Sequence, residues 1–266
     1  MTMRGSYAAV FAAALAGALL SLPQTGWAAG RGASPALQAM DAGAAASNAA
    51  AALNKKQFRD VKVTVSGGTA TLTGSVSLYE YKVDAEKRVS RARGVTAVQN
   101  EIVVAGPNVP DEVLQRKLLE QLAVDRVGYD VVFNAIGVKV VDGVATLEGR
   151  SRSYIASNSA VSLVSGYPGV KGVVNHIAVD PASPSDDMIR LAVARAIYNY
   201  PPMYKYDAIP AKPIRITVQF GHVELYGLVD SQADKQIAYE RAMGVPGLFS
   251  VQNNLQVEGQ PGTEQR

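Results

Sequence analysis

Three stretches of the chain superimpose without gaps: VKVTVSGGTATLTG (Val61–Gly74), IGVKVVDGVATLEG (Ile136–Gly149) and IRITVQFGHVELYG (Ile214–Gly227). Each runs on to a second glycine marker 20 residues later, at Gly94, Gly169 and Gly247. An asparagine follows six residues on in each, at Asn100, Asn175 and Asn253. Gly68, Gly143 and Gly221 occupy one position of this pattern, 75 and 78 residues apart. Self-similarity at a fixed spacing means one small supersecondary unit used repeatedly, each copy leaning on its neighbours.

Within a copy the pattern predicts the elements. Val61, Val63 and Val65 alternate, as do Ile136, Val138 and Val140, and Ile214, Ile216 and Val218; a period of two marks a half-buried strand. Gly67-Gly68, Asp142-Gly143 and Phe220-Gly221 follow as hairpin turns, and Asp-Gly in particular favours a tight one. The second strand carries Ala70 and Leu72, Ala145 and Leu147, or Val223 and Leu225, and is expected to end at Gly74, Gly149 or Gly227. Some 15–18 helical residues are expected next. Ala85, Ala160 and Ala238 stand in register on this helix, with Val89, Val164 and Ala242 four residues on along the same face. The markers Gly94, Gly169 and Gly247 are expected to close it, and a third strand passes through Asn100, Asn175 or Asn253. A helix precedes each hairpin. In copy two Leu114, Leu118 and Leu122 are spaced by four, after Pro110-Asp111-Glu112. Copy three opens with Ser185-Asp186-Asp187 as a cap, ahead of Ile189, Val193 and Ile197. In copy one the helix lies within Ala36–Leu53, an alanine-rich stretch. The expectation is α+β: three tandem αββαβ domains, each a three-stranded mixed sheet covered by two helices.

The division expected is a signal peptide over 1–28, a flexible Ala/Gly-rich segment over 29–44, domains over 45–106, 109–181 and 185–259, and a disordered tail over 260–266. Arg4, the apolar run Ala8–Leu22 and Gly26-Trp27-Ala28 before Ala29 carry the export reading. The run is short against the roughly 20 residues of a spanning helix. Units of about 60–75 residues bury limited core alone, so docking between neighbours should add stability.

Composition narrows the chemistry. The chain has no cysteine, which removes disulfides, thiol catalysis and thiolate metal sites. His176 and His222 fall at non-equivalent repeat positions without a triad or metal partner in the pattern. No cofactor or metal is expected. The glycines sit outside any strand–loop–helix phosphate-loop pattern, and all nine (Gly68, Gly74, Gly94, Gly143, Gly149, Gly169, Gly221, Gly227, Gly247) read as turn or cap residues. The net charge of +3 is too small to imply nucleic acid without clustering.

At the hairpin glycine, the later glycine and the V-x-N closing strand, the chain resembles the BON domain family of bacterial osmotically inducible and nodulation proteins. The resemblance covers nearly all of 45–259. It implies an αββαβ fold, an envelope location (periplasmic in relatives with two such domains), binding to phospholipid surfaces and a part in envelope integrity or stress tolerance, with no catalytic residue. Three copies and a Pro/Tyr-rich insertion in the third depart from the two-domain relatives.

Charge separates the copies. Residues 49–106 hold nine basic and five acidic side chains, whereas 109–181 and 185–259 each hold seven and eight. The excess gathers at Lys82, Lys87, Arg88, Arg91 and Arg93, expected on the second helix of copy one, with Asp84 and Glu86 partly neutralising it. Each such cation near an anionic bilayer contributes on the order of 1 kcal/mol. The second candidate surface is Tyr198-Asn199-Tyr200-Pro201-Pro202-Met203-Tyr204-Lys205-Tyr206, an amphipathic loop that could enter a headgroup layer or fold back over its sheet. The expected partner is an anionic phospholipid surface, with envelope proteins as a second class and nucleic acid excluded. The competing reading is a protein-binding scaffold or holdase for exported polypeptides.

Overall fold

The structure, a computed structural model, describes residues 35–125 and 131–259. The expected signal peptide and C-terminal tail lie outside these residues. Copy one comprises α1 (Pro35–Ala52), β1 (Val61–Ser66), β2 (Thr69–Val76), α2 (Tyr79–Val89), β3 (Ala97–Asn100) and β4 (Val103–Val104). Copy two comprises α3 (Asp111–Ala123), β5 (Ala135–Val141), β6 (Val144–Ser151), α4 (Tyr154–Ser165) and β7 (Gly172–Val179). Copy three comprises α5 (Pro184–Tyr198), α6 (Tyr204–Asp207), β8 (Ile214–Gln219), β9 (His222–Val229), α7 (Gln232–Met243) and β10 (Ser250–Val257). The middle strand of every sheet pairs antiparallel with the strand before it and parallel with the closing strand, which is β3 and β4 together in copy one.

Each copy has its own core, and the second and third also take in side chains from the copy before. Ala49, Leu53, Leu72, Ala85, Val89 and Ile102 fill the first, Leu114, Leu118, Leu147 and Val164 the second, and Val193, Ile197, Leu225, Ala238 and Ala242 the third. The small residues in register along the second helix are buried because that helix rides close to the sheet. Gly74, Gly149 and Gly227 have a sharper cause. They sit inside the middle strand at φ +105°, +107° and +120°, where a Cβ would stand about 2 Å from the carbonyl oxygen of Asp60, Ala135 or Pro213. The strand therefore does not end there. It continues two residues further, and the glycine lets the entering chain cross it.

The repeated asparagine is structural. Asn100 and Asn253 donate from Nδ2 to the carbonyls of Lys82 and Lys235 on the preceding helix, at 3.0 and 2.9 Å. In all three copies the asparagine Oδ1 accepts from the N–H two residues on, at Ile102, Ile177 or Leu255. The closing strand lies at the sheet edge, and in copies one and three this residue ties it to the helix above.

Other expectations are corrected. α1 begins at Pro35, so residues 35–44 of the segment expected to be flexible are helical. The second helices span 11 or 12 residues and stop at Ser90, Gly166 and Gly244. Gly94, Gly169 and Gly247 come later, at φ +88°, +98° and +88°, and turn the chain into the closing strand. Arg91 and Arg93 thus lie in that turn, beyond the helix. Ser183 caps α5 by accepting from the Asp186 N–H, because Pro184 occupies the first turn, where its missing N–H is no loss. Asp186 instead holds the hairpin turn, where its two oxygens accept from the N–H groups of Phe220 and Gly221, at 3.0 and 2.9 Å. Asp111 serves Asp142 and Gly143 in the same way, at 2.6 and 2.9 Å. In both copies the first helix thereby clamps the turn through a carboxylate.

The two junctions differ. Tyr79, the first residue of α2, packs against the core of copy two, and Glu80 Oε2 lies over Gly166 at the end of α4. Between copies two and three, Phe133 is buried within the third core. Across the same junction Asp180 bridges Arg150 and Arg190, the latter at 3.0 Å, while Arg190 also meets Asp187 at 2.7 Å. Arg152 reaches the same Asp187 at 3.1 Å.

Candidate functional site

Every copy presents one end built from its hairpin turn and the turn into its closing strand. The two lie together: Thr96 and Lys171 donate their N–H groups to the carbonyls of Gly68 and Gly143, and Phe249 donates to Gly221, all at 2.8 Å. Both central residues of each hairpin turn have positive φ, from +51° to +81°, which is the type I′ geometry that suits strand twist. The scaffold of this end is constant and its chemistry is not.

In copy one the end is basic. Lys87 sits on the last turn of α2, and Arg91 and Arg93 follow it; all three are exposed. Lys82 is half-buried higher on the helix. Arg88 differs, being paired with Asp84 at 2.8 Å and lying 5.8 Å from the centre of the Phe58 ring. Cations here also complement the negative end of the helix dipole. The sequence grouping of five therefore separates into one internally engaged arginine and four lysines and arginines around it.

In copy two the corresponding end carries Asp142 and Lys171. In copy three it carries Phe220 and Phe249, 68% and 79% exposed. Phe249 covers Gly221, and its ring lies 5.7 Å from that of His222. Phe220 holds φ +51°, where a bulky side chain is strained. Sequence reasoning missed this pair. The signal was available: aligned on the turn glycine, copies one and two have Gly67 with Thr96 and Asp142 with Lys171, and only copy three has two aromatics.

Of the two readings open for the tyrosine segment, the structure takes the one in which it folds back. It is folded into a short 3-10 turn (Pro201–Met203) and α6, which close the third core. Tyr198 is buried, donating to the Ile214 carbonyl at 2.7 Å and accepting the Ile214 N–H at 3.0 Å. Burial pushes its hydroxyl well above the usual phenol range. Tyr206 is buried too; its hydroxyl donates to Asp234 at 3.0 Å and accepts the Asp230 N–H at 2.8 Å. Lys205 pairs with Asp230 and Asp234, at 2.7 and 2.9 Å, and those bonds raise its pKa. Tyr200 is half-buried, with the Arg241 guanidinium 4.8 Å from its ring centre. Tyr204 alone of the four tyrosines is exposed. Aromatic side chains engaged in this way are not free to enter a headgroup layer. His176 and His222 are strand residues, in β7 and β9.

The model of the BON domain family, described as "BON domain", matches residues 41–106, 110–181 and 185–259. The chain belongs to the BON domain family. It is 29% identical over 136 residues to osmotically-inducible protein Y of Escherichia coli (strain K12), a match taking in 46% of this chain and 62% of that protein. The chain thus spans less than two thirds of the length of that relative. Among solved structures, the C-terminal domain of CdsD, a structural protein of the type III secretion system of Chlamydia trachomatis, is 13% identical and has a TM-score of 0.24. That match covers 81% of this chain and 96% of the other. The PrgH periplasmic domain is 9% identical, covers 75% and 96%, and has a TM-score of 0.17. Overlaps at these scores bear on neither the fold nor the function of the BON chain.

Proposed function

We propose that this BON protein is an exported, non-enzymatic protein of the bacterial periplasm that adheres to anionic phospholipid surfaces and contributes to envelope integrity under osmotic stress. The family, the name of the Escherichia coli relative and the N-terminal sequence support the setting. One observation supports the mechanism: Lys87, Arg91 and Arg93 stand exposed around the end of α2 in the one copy with a basic excess. Three or four such cations supply on the order of 3–4 kcal/mol at low salt, enough for reversible attachment and too little for permanent anchoring. Shallow insertion of apolar side chains would add to it, and Phe220 with Phe249 is the surface suited to that step.

The test is co-sedimentation with vesicles of phosphatidylglycerol and phosphatidylcholine over about 50–500 mM salt, a range that shortens the screening length severalfold. Binding to the anionic vesicles that fades with salt is the expected result. The competing reading is capture of unfolded exported polypeptide, which the exposed phenylalanine pair also suits. Indifference to both vesicles, together with suppressed aggregation of an unfolded client, would replace the lipid reading.

A further inference from the structure

Aligning the copies on their second helices shows which inter-copy contacts are used and which are left over. Tyr79, Tyr154 and Gln232 are the first residues of α2, α4 and α7. At the far ends, Gly166 and Gly244 directly follow α4 and α7, and the sequence register sets against them Arg91, one residue past the Ser90 end of α2. The junction of copies one and two joins a start to an end: Tyr79 packs on the second core and Glu80 lies over Gly166. In copy one the start is therefore taken, and the end bears Arg91, a long side chain where this contact uses glycine. In copy two the end is taken and the start is free; Tyr154 and Ile155 are 75% and 70% exposed. In copy three the start is the polar Gln232 and the end is free, since a Cβ at Gly244 would meet only carbonyls of its own last turn, at 3.6 Å.

Among the described residues, one tyrosine start and one glycine end are thus unused. They do not meet each other, because copy three is seated differently. Asp180, directly after β7, is buried against Arg190 of α5, and Phe133 fills the third core. Residues 180–183 also make a shorter connection than 105–110. Met188 and Leu191 are also exposed, on α5, whose first turns the Arg152–Asp187 pair ties to the residue two before α4. Copy two of the same chain shows what covers such a face: the end of a second helix in another copy of the repeat.

We propose that two molecules of this chain pair by seating the Tyr154–Ile155 start of α4 in one on the Gly244 end of α7 in the other, repeating the contact in which Tyr79 packs on the second core and Glu80 lies over Gly166. Each molecule offers one start and one end, so a reciprocal pair uses both, as a two-fold interface requires.

The absence of native cysteines makes the test direct. Full-length Ile155→Cys and Gly244→Cys proteins, prepared separately and mixed under mild oxidation, should give a mixed disulfide dimer in preference to either homodimer. Gly244 has φ −74°, so a side chain there leaves the backbone unstrained. In sedimentation velocity without crosslinking, the unmodified chain should form a dimer with concentration. Gly244→Arg, which reproduces copy one, and Tyr154→Glu should each weaken that dimer at least tenfold, with unchanged circular dichroism confirming the fold. A mixture that yields no mixed disulfide overturns the proposal. So does crosslinking confined to the Ile155→Cys/Gly244→Cys double variant within a single molecule, which would make the contact internal.

Discussion

Removing the carboxylate of Asp180 tests how copies two and three are joined. Its side chain is 1% exposed, and that of Arg190 is 2% exposed. Asp180 accepts from Arg150 on β6 and from Arg190 on α5, so Asp180→Ala strips one carboxylate from between two guanidinium groups. Removing one member of a buried pair costs about 3–5 kcal/mol, because the remaining charge stays desolvated. Arg190 keeps Asp187 at 2.7 Å and the Val218 carbonyl, which places the expected loss near the lower figure, about 3 kcal/mol. With a urea slope of about 2 kcal/mol/M, the midpoint should fall by roughly 1.5 M. Urea unfolding followed by circular dichroism and tyrosine fluorescence measures this. Asp230→Ala, which removes a pair exposed on both sides, should cost less than about 1 kcal/mol. The double change Asp180→Leu with Arg190→Met should recover part of the loss, since it removes the most deeply buried charge and leaves only the quarter-exposed Arg150 without its carboxylate. An Asp180→Ala midpoint within about 0.5 M of the parent would refute the reasoning.

Gly149→Ala should destabilise copy two by more than about 3 kcal/mol, because the new methyl would stand 2.1 Å from the Ala135 carbonyl oxygen at φ +107°; chemical denaturation reads it. Phe220→Gly should act in the other direction, raising stability by about 1 kcal/mol through relief of the strained turn while weakening vesicle binding, so the two assays should move oppositely. Acid should erode stability in a defined window. Hydrogen bonds from Arg152 and then Arg190 hold Asp187 below 3.8, against its burial. At Asp234 burial pushes upward, and bonds from Ser231, Lys205 and Tyr206 outweigh it. Lowered folded-state values mean that the unfolded chain takes up protons first. The contribution is complete above about pH 5 and is lost as pH falls through 3.8 and below, which thermal melts from pH 7 to 2.5 would follow.

The sequence disclosed what the backbone demands in all three copies. Alternating aliphatics had to form strands, since only one face of each sheet meets a helix. The Ala85, Ala160 and Ala238 register had to be buried, since a close helix leaves no room for more. Positions at which a side chain meets a distant partner were less legible. Asp186 reads as a helix-start charge until the hairpin turn 34 residues away is brought to it. Tyr206 reads as interfacial until Asp230 and Asp234 arrive to engage its hydroxyl. Phe133 sits in the segment of copy two yet fills the core of copy three, and no periodicity reveals a contact between domains. The phenylalanine end of copy three was readable only by comparing positions where the copies disagree.

On the proposed mechanism, one scaffold used three times works by adhesion through its unlike ends, with the basic end of copy one leading. Replacing Lys87, Arg91 and Arg93 by glutamate changes that end while leaving every buried contact of copy one in place. Flotation of this variant with phosphatidylglycerol vesicles at low salt is the most direct measurement. The parent should float with the vesicles and the variant should remain in the dense fraction, with unchanged circular dichroism and an unfolding midpoint lowered only modestly by carboxylates at the negative end of α2. Equal flotation of the two proteins would contradict the mechanism.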